Sequence, residues 1–377
     1  MKVVIAPDSF KESLTAKQVC DAIQAGLARE WTEAKFVSVP VADGGEGTVQ
    51  SLVDATNGRI VEVKVTGPQH NVVEAFYGIL GDDRTAVIEM AAASGLHHVP
   101  AEQRDPKLTT SYGTGELILH ALEQGISRFI IGLGGSATND AGVGMLSALG
   151  AQFLKADGQP IMPTGGGLTE LTQIDVSRLD ARLTQCEILV ACDVDNPLCG
   201  EKGASAIFGP QKGASEQDIA LLDQALHNFG MLTEQVTGQD VLSRRGAGAA
   251  GGMGAALLGY TNAILKPGIE IVLETVNLKE IVKDADIVFT GEGRIDSQTV
   301  HGKTPMGVAQ VAKLYDIPVI ALAGCTGHGY QAVYQCGIDA VFAAVPRAMS
   351  LQDAMNESDF NLADLAENVA RLWSLTH

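Results

Sequence analysis

Aromatic side chains make up only 5% of this 377-residue chain, so its interior has to be filled by Val, Ile, Leu and Ala with backbones packed closely. Basic residues are also scarce, 26 against 45 acidic ones, and the net charge of -19 repels nucleic acid and anionic membrane surfaces. Neither is an expected partner. No apolar run approaches the roughly 18 residues that a membrane-spanning helix needs. The six cysteines, Cys20, Cys186, Cys192, Cys199, Cys325 and Cys336, include no C-x-x-C pair. That argues against structural zinc and for reduced thiols in a cytoplasmic protein. Met1 runs straight into the apolar Val3-Val4-Ile5-Ala6, without the basic and apolar regions of a signal peptide.

Glycine, by contrast, is abundant, with 43 residues, and the composition and length fit a two-domain α/β protein. The stretch from Phe129 to Gly142 reads as a short buried strand, a glycine turn and a helix start, with Ser136, Thr138 and Asn139 as candidate N-caps. Such a turn can hold an anion on free N–H groups and the positive end of the helix dipole, or can serve packing alone. It is not a Walker loop, because no Gly-Lys-Ser/Thr follows it at the required spacing.

Taken in order, the first sixty residues alternate strand and helix. Lys2 to Ala6 is a strand, a capping box of Thr15 and Gln18 opens a helix striped by Val19, Ile23 and Leu27, and Phe36 to Val41 is the next strand. A second glycine turn, Asp43 to Thr48, opens a helix closing at Asn57-Gly58. From Arg59 the texture turns to alternating Val/Ile segments, Ile60 to Val65, Val72 to Leu80 and Thr85 to Met90, which predict antiparallel hairpins. A strand is predicted at Glu187 to Ala191 and a helix over Ser215 to Val236. Gly246 to Gly251 matches G-x-G-x-x-G, yet no buried strand precedes it, so close helix packing explains it better than a dinucleotide site. The tail returns to β-α-β-α-β: strands at Asp286 to Thr290, Pro318 to Ala323 and Ala340 to Val345, helices at Thr304 to Leu314, Tyr330 to Gln335 and Leu362 to Leu372. Polar turns follow most of these strands, and the carboxyl ends of strands are where open α/β sheets bind ligands.

With these turns in view, the chain resembles the bacterial glycerate kinases of the glycerate 2-kinase type. The resemblance rests on eight ordered blocks, among them Ala6-Pro-Asp-Ser-Phe-Lys-Glu-Ser, Val41-Ala-Asp-Gly-Gly-Glu-Gly-Thr, Thr109-Thr-Ser-Tyr-Gly-Thr-Gly-Glu-Leu, Gly132-Leu-Gly-Gly-Ser-Ala-Thr-Asn-Asp, Asp193-Val-Asp-Asn-Pro-Leu, Gly209-Pro-Gln-Lys-Gly-Ala and Thr290-Gly-Glu-Gly-Arg-Ile-Asp-Ser-Gln-Thr. It implies a flavodoxin-like parallel-sheet domain built from both chain ends, residues 1–58 and 285–377, carrying an inserted mixed α/β domain, residues 59–284, with the active site in the cleft between them. The implied reaction is transfer of the γ-phosphoryl group of ATP to D-glycerate with Mg²⁺, giving 2-phosphoglycerate. Kinases of other small hydroxy acids and a non-catalytic nucleotide or sugar-acid binder are the alternatives. Small molecules are thus the expected partners, and a homo-oligomer is compatible with the chain.

Phosphoryl transfer asks a protein to position two anions and neutralise developing charge. The blocks nominate Gly134, Gly135 and Ser136, with Gly113, Thr114 and Gly115, as phosphate cradles, and Asp8 and Ser9 as further binding residues. Lys11, Lys212, Arg294 and Lys303 are the cations expected near phosphate or the glycerate carboxylate, although Lys212 and Lys303 could be ordinary solvated lysines. Asp43, Glu46, Asp193, Glu292 and Asp296 are carboxylates in strand-end turns. Asp193 is the expected base, acting with Lys11, Arg294 and Asp296, while Asp43, Glu46 and Asp296 are the metal candidates and Glu292 is placed with the substrate.

Overall fold

Lys2–Ile5, the first apolar run, is a strand with Val3, Val4 and Ile5 wholly buried. A strand apolar on both faces belongs inside a parallel sheet covered by helices. This one lies between Lys35–Ser38 and Ile287–Thr290 and runs parallel to both. Val319–Ala323 and Ala340–Ala343 extend the sheet beyond Ile287–Thr290. Counted along the chain, the five parallel strands stand in the order 2-1-3-4-5. The computed structural model describes residues 1–375 and separates into two compact units, one of Met1–Gly58 with the chain from Pro267 onward, the other Arg59–Lys266. The return crossing thus falls at Pro267, ahead of the expected 285. The reason is packing: helices Gly268–Thr275 and Leu278–Val282 lie against Thr304–Lys313 of the first unit.

Helix Ala16–Leu27 opens on the expected capping box, the Thr15 hydroxyl accepting from Gln18 N–H while Gln18 Oε1 accepts from Thr15 N–H. Its buried stripe of Val19, Ile23 and Leu27 joins Leu362, Ala366 and Val369 of helix Ser358–Ser374 in one core cluster. Each such side chain contributes roughly 1.5–3 kcal/mol on burial. The segment expected as a helix near Tyr330 is instead a 3₁₀ helix, Tyr330–Cys336, held between left-handed Gly329 and Gly337. The glycine stops bound the segment at both ends.

The second unit carries a mixed sheet. Arg59–Thr66 and Val72–Ile79 form the expected antiparallel hairpin, and Thr85–Glu89 is antiparallel to the latter. Arg128–Gly132, Glu187–Ala191 and Ile264–Lys266 then continue in parallel. Phe129, Ile131, Leu146 and Phe229 lie in its core, the last from helix Glu216–Thr237, which starts at a Ser215–Asp218 capping box. Among the described residues no helix is long and apolar enough to cross a membrane.

Candidate active site

An open α/β sheet forms a crevice at the carboxyl ends of its strands, at the point where successive connections leave in opposite directions. In the first unit that point lies between Lys2–Ile5 and Ile287–Thr290. Their backbones stay paired past the strand ends, Ala6 N–H donating to Phe289 O and Asp8 N–H to Gly291 O, both at 2.8 Å. The turns that carry Asp8 and Glu292 therefore leave the sheet side by side. A cavity of about 450 Å³ opens there, and Asp8, Ser9, Lys11, Asp43, Glu292, Arg294 and Lys303 all line it. Seven residues nominated from four separated stretches of chain meet in one place.

Three carboxylates share this cavity. Asp8 is buried, and its carboxyl accepts from Thr304 Oγ1 at 2.5 Å and from Ser9 N–H at 2.6 Å. Burial pushes its pKa from 3.8 up to about 6, with the charges of Asp43 and Glu292 adding to the rise against the two hydrogen bonds. Glu292 is also raised by burial, though Thr299 Oγ1 at 2.6 Å and Lys303 Nζ at 3.3 Å oppose the shift. Asp43 is half-buried and accepts from Gly45 N–H at 3.0 Å, which fixes the glycine turn. Lys303 is consequently no free lysine, and its ammonium sits beside a carboxylate at the cavity wall. Arg294 reaches the same cavity from an exposed position, paired with Asp296 at 3.3 Å.

Asp296 and Glu46 are placed differently. The Asp296 carboxylate accepts from Gln298 N–H at 2.9 Å and braces Arg294, and Asp296 does not line the cavity. Glu46 is exposed and outside it as well. Among the described residues, no three His, Cys, Asp or Glu side chains come together as a metal cage. Of the three metal candidates, Asp43 lines the cavity while Glu46 and Asp296 do not.

In the second unit the glycine turn differs from its reading in the sequence. The helix after it begins only at Val143, with left-handed Gly142 ahead of it, and neither Ser136, Thr138 nor Asn139 caps it. Its N–H groups are already taken inside the protein. The wholly buried Asp140 carboxylate accepts from Gly142 N–H at 3.1 Å and Gly144 N–H at 3.2 Å, and the Ser111 hydroxyl accepts from Met145 N–H at 3.0 Å. Asp140 also receives Ser111 N–H and Oγ–H at 2.8 and 2.7 Å, and burial still raises its pKa. An internal carboxylate thus satisfies the N–H groups at the start of this helix. Gly113, Thr114 and Gly115 are likewise buried: a Cβ on Gly113 would fall 2.0 Å from Thr66 O and one on Gly115 2.3 Å from Met145 O, while Thr114 Oγ1 lies 2.8 Å from Ser94 Oγ. These three are packed closely against their neighbours.

Gly134 and Gly135 do remain exposed. Next to them Lys212, only 1% exposed, donates to Ser136 Oγ at 2.8 Å and Thr138 O at 2.6 Å, and burial lowers its pKa from 10.5 to about 7. It is the opposite of a solvated lysine. Asp193 is exposed, beyond the end of the strand Glu187–Ala191.

The G-x-G-x-x-G stretch supports the same turn from behind. Helix Ala249–Tyr260 is wholly buried and kinked where Ala250, Gly251 and Gly252 are left-handed, and Ala141 N–H donates to Gly251 O at 3.0 Å. A Cβ on Gly251 would meet Thr138 O at 2.0 Å, at a φ of +65°. We expect Gly251→Ala to lose about 3 kcal/mol or more of stability. A thermal melt within a degree or two of wild type would refute this.

Asp140, Ser111 and Thr304 escaped notice in the sequence because Asp, Ser and Thr in turns commonly cap or brace them. Asn361, near the start of helix Ser358–Ser374, also lines the cavity, and no motif in the sequence singles it out. The sequence model of the glycerate kinase family matches residues 3–374. The chain is 57% identical to a glycerate kinase of Bacillus subtilis (strain 168), over 98% of this chain and 96% of the relative. It is 54% identical to a glycerate 2-kinase of Escherichia coli (strain K12), over 98% and 97% respectively. A crystal structure described as a candidate glycerate kinase 2 from Salmonella typhimurium LT2 superposes with a TM-score of 0.93 at 52% identity, covering 100% of this chain and 98% of that one.

Proposed function

This chain belongs to the glycerate kinase family, and from that premise we propose that it transfers the γ-phosphoryl group of ATP to the 2-hydroxyl of D-glycerate, giving 2-phosphoglycerate and ADP. The observation that carries the reading furthest is the buried Asp8, with a pKa of about 6, facing a cavity that also holds cations. A general base works best when its pKa lies near the working pH. In this reading Asp8 accepts the proton of the glycerate hydroxyl as its oxygen bonds to the γ-phosphorus and the bond from that phosphorus to the β-bridging oxygen breaks. The electron pair leaves with ADP. Lys11, Lys303 and Arg294 hold phosphate oxygens and the glycerate carboxylate, and Asp296 keeps the guanidinium in position.

Asp43 and Glu292 suit a Mg²⁺ ion, which needs only one or two carboxylates and otherwise keeps water and phosphate oxygens. Their crowding with Asp8, which raises the Asp8 pKa, is the kind of charge repulsion that a divalent cation relieves. Such an ion supplies charge neutralisation at the phosphates. In the second unit, the exposed Gly134-Gly135 turn and the Ser136 hydroxyl have the character of a phosphate contact. The strand order 2-1-3-4-5 of the first unit supports reading it as flavodoxin-like, and six free cysteines fit a cytoplasmic enzyme.

The test is an assay with ATP, Mg²⁺ and a panel of hydroxy acids, coupled directly to enolase. D-Glycerate is expected to give phosphoenolpyruvate without a mutase. ADP release with no phosphoenolpyruvate would move the phosphate to the 3-position, and no ADP release with any acid would sink the kinase reading.

A further inference from the structure

The cavity of the first unit has two chemically distinct linings. Beside the carboxylates and cations, it is walled by Phe10, Ala344, Val345, Leu351, Ala354 and Met355. Glycerate, three carbons bearing a carboxylate and two hydroxyls, presents no apolar face that would need such a wall. A nucleotide does, because it joins a charged phosphate chain to a flat base with apolar faces. About 450 Å³ also lies within the range of pockets that take ligands larger than glycerate.

One side chain in this wall is unexplained by the fold. Asn361, on helix Ser358–Ser374, is 6% exposed and lines the cavity, yet its carboxamide has no hydrogen-bond partner among the described residues. Its neighbour in the lining, Ser358, is fully engaged with Ser13 Oγ, Met355 O and Ala354 O. Its amide atoms open to the cavity and make no bond to the protein, so a bound group of matching pattern can pair with them in place of water. A carboxamide presents an acceptor and a donor side by side. Adenine offers the complement on one edge, its 6-amino donor next to a ring-nitrogen acceptor, the pair that Asn reads elsewhere.

We propose that the apolar part of this cavity takes the adenine base of the nucleotide and that Asn361 reads its 6-amino edge. The proposal rests on the kinase reading above for the use of a nucleotide. It makes Asn361 a specificity residue for the base, with no part in glycerate binding. A leucine there keeps the shape and removes the amide.

The test measures equilibrium binding of ADP, and of purine riboside diphosphate, which lacks the 6-amino group, to full-length wild type and Asn361→Leu. Wild type is expected to bind ADP roughly 10-fold or more tighter than the analogue. In Asn361→Leu the two affinities should converge on the weaker value, with the KM for glycerate at saturating ATP unchanged. Asn361→Ala repeats the comparison if the leucine variant does not fold. Wild-type discrimination retained in the variants would overturn the proposal, as would a raised glycerate KM with unaltered ADP affinity. Converging affinities in a protein that phosphorylates no hydroxy acid would leave the base site standing and remove the kinase reading, so the two failures are separable.

Discussion

Asp8→Asn is expected to lower kcat by about 10²–10⁴-fold and, in the same protein, to raise the stability of the unliganded fold at neutral pH. Both effects follow from one carboxyl group. Asp8 has a pKa near 3.8 when the chain is unfolded and about 6 when folded, chiefly through burial. Between those values the native state holds a proton that the unfolded chain has released, so stability falls as pH rises, and the whole penalty is present above about pH 6. Removing the charge returns about 3 kcal/mol at most, less roughly 1 kcal/mol because an amide nitrogen must face Thr304 Oγ1 or Ser9 N–H. Denaturation of both proteins at pH 4.5 and 7.5 should therefore show the variant gaining on wild type with rising pH. Wild-type kcat/KM should carry an acidic limb near pH 6 that the variant lacks. Near-normal turnover in Asp8→Asn, beside a loss of orders of magnitude in Asp193→Asn, would transfer the proton to Asp193.

Much of this architecture is legible in the sequence, for reasons that are local. The Thr15–Gln18 capping box, the stripe of Val19, Ile23 and Leu27 and the alternation of the Arg59–Thr66 hairpin each involve residues a few positions apart, and they appear in the structure as read. The polar turns after the strands could be picked out in the same way. Their meeting could not, because Asp8 and Glu292 are brought together by pairing between strands at opposite ends of the chain. Position also misled where a residue's ordinary work resembles its special work. Asp140 reads as one more turn aspartate, yet it satisfies the helix start that the glycine turn was expected to leave open. Gly113 and Gly115 read as a phosphate loop, yet their missing Cβ atoms make room for Thr66 and Met145. Burial separates these cases, and burial is a property of the whole fold.

Lys212 is the sharpest instance, and Lys212→Met should show what a buried amine is for. Its ammonium donates to Ser136 Oγ at 2.8 Å, which occupies a lone pair of that hydroxyl and leaves the Ser136 proton free to donate. The exposed Gly134-Gly135 turn precedes Ser136, so in the proposed reading the lysine orients a hydroxyl that would meet phosphate at this turn while itself staying out of contact. Loss of the ammonium is expected to raise the KM for ATP roughly 10–100-fold. Ser136→Ala should do much the same, and the double variant little more, because the two act as one unit. Stability gives an independent reading. From pH 7 to 10.5 the unfolded lysine is protonated while the buried one, with a pKa of about 7, has lost its proton, so stability rises with pH by up to about 1.4 kcal/mol per unit. Wild type should gain on the methionine variant between pH 7 and 9. Parallel stability curves with an unchanged KM would make Lys212 a packing residue; a wild-type gain with an unchanged KM would leave it a buried amine that does not serve the nucleotide.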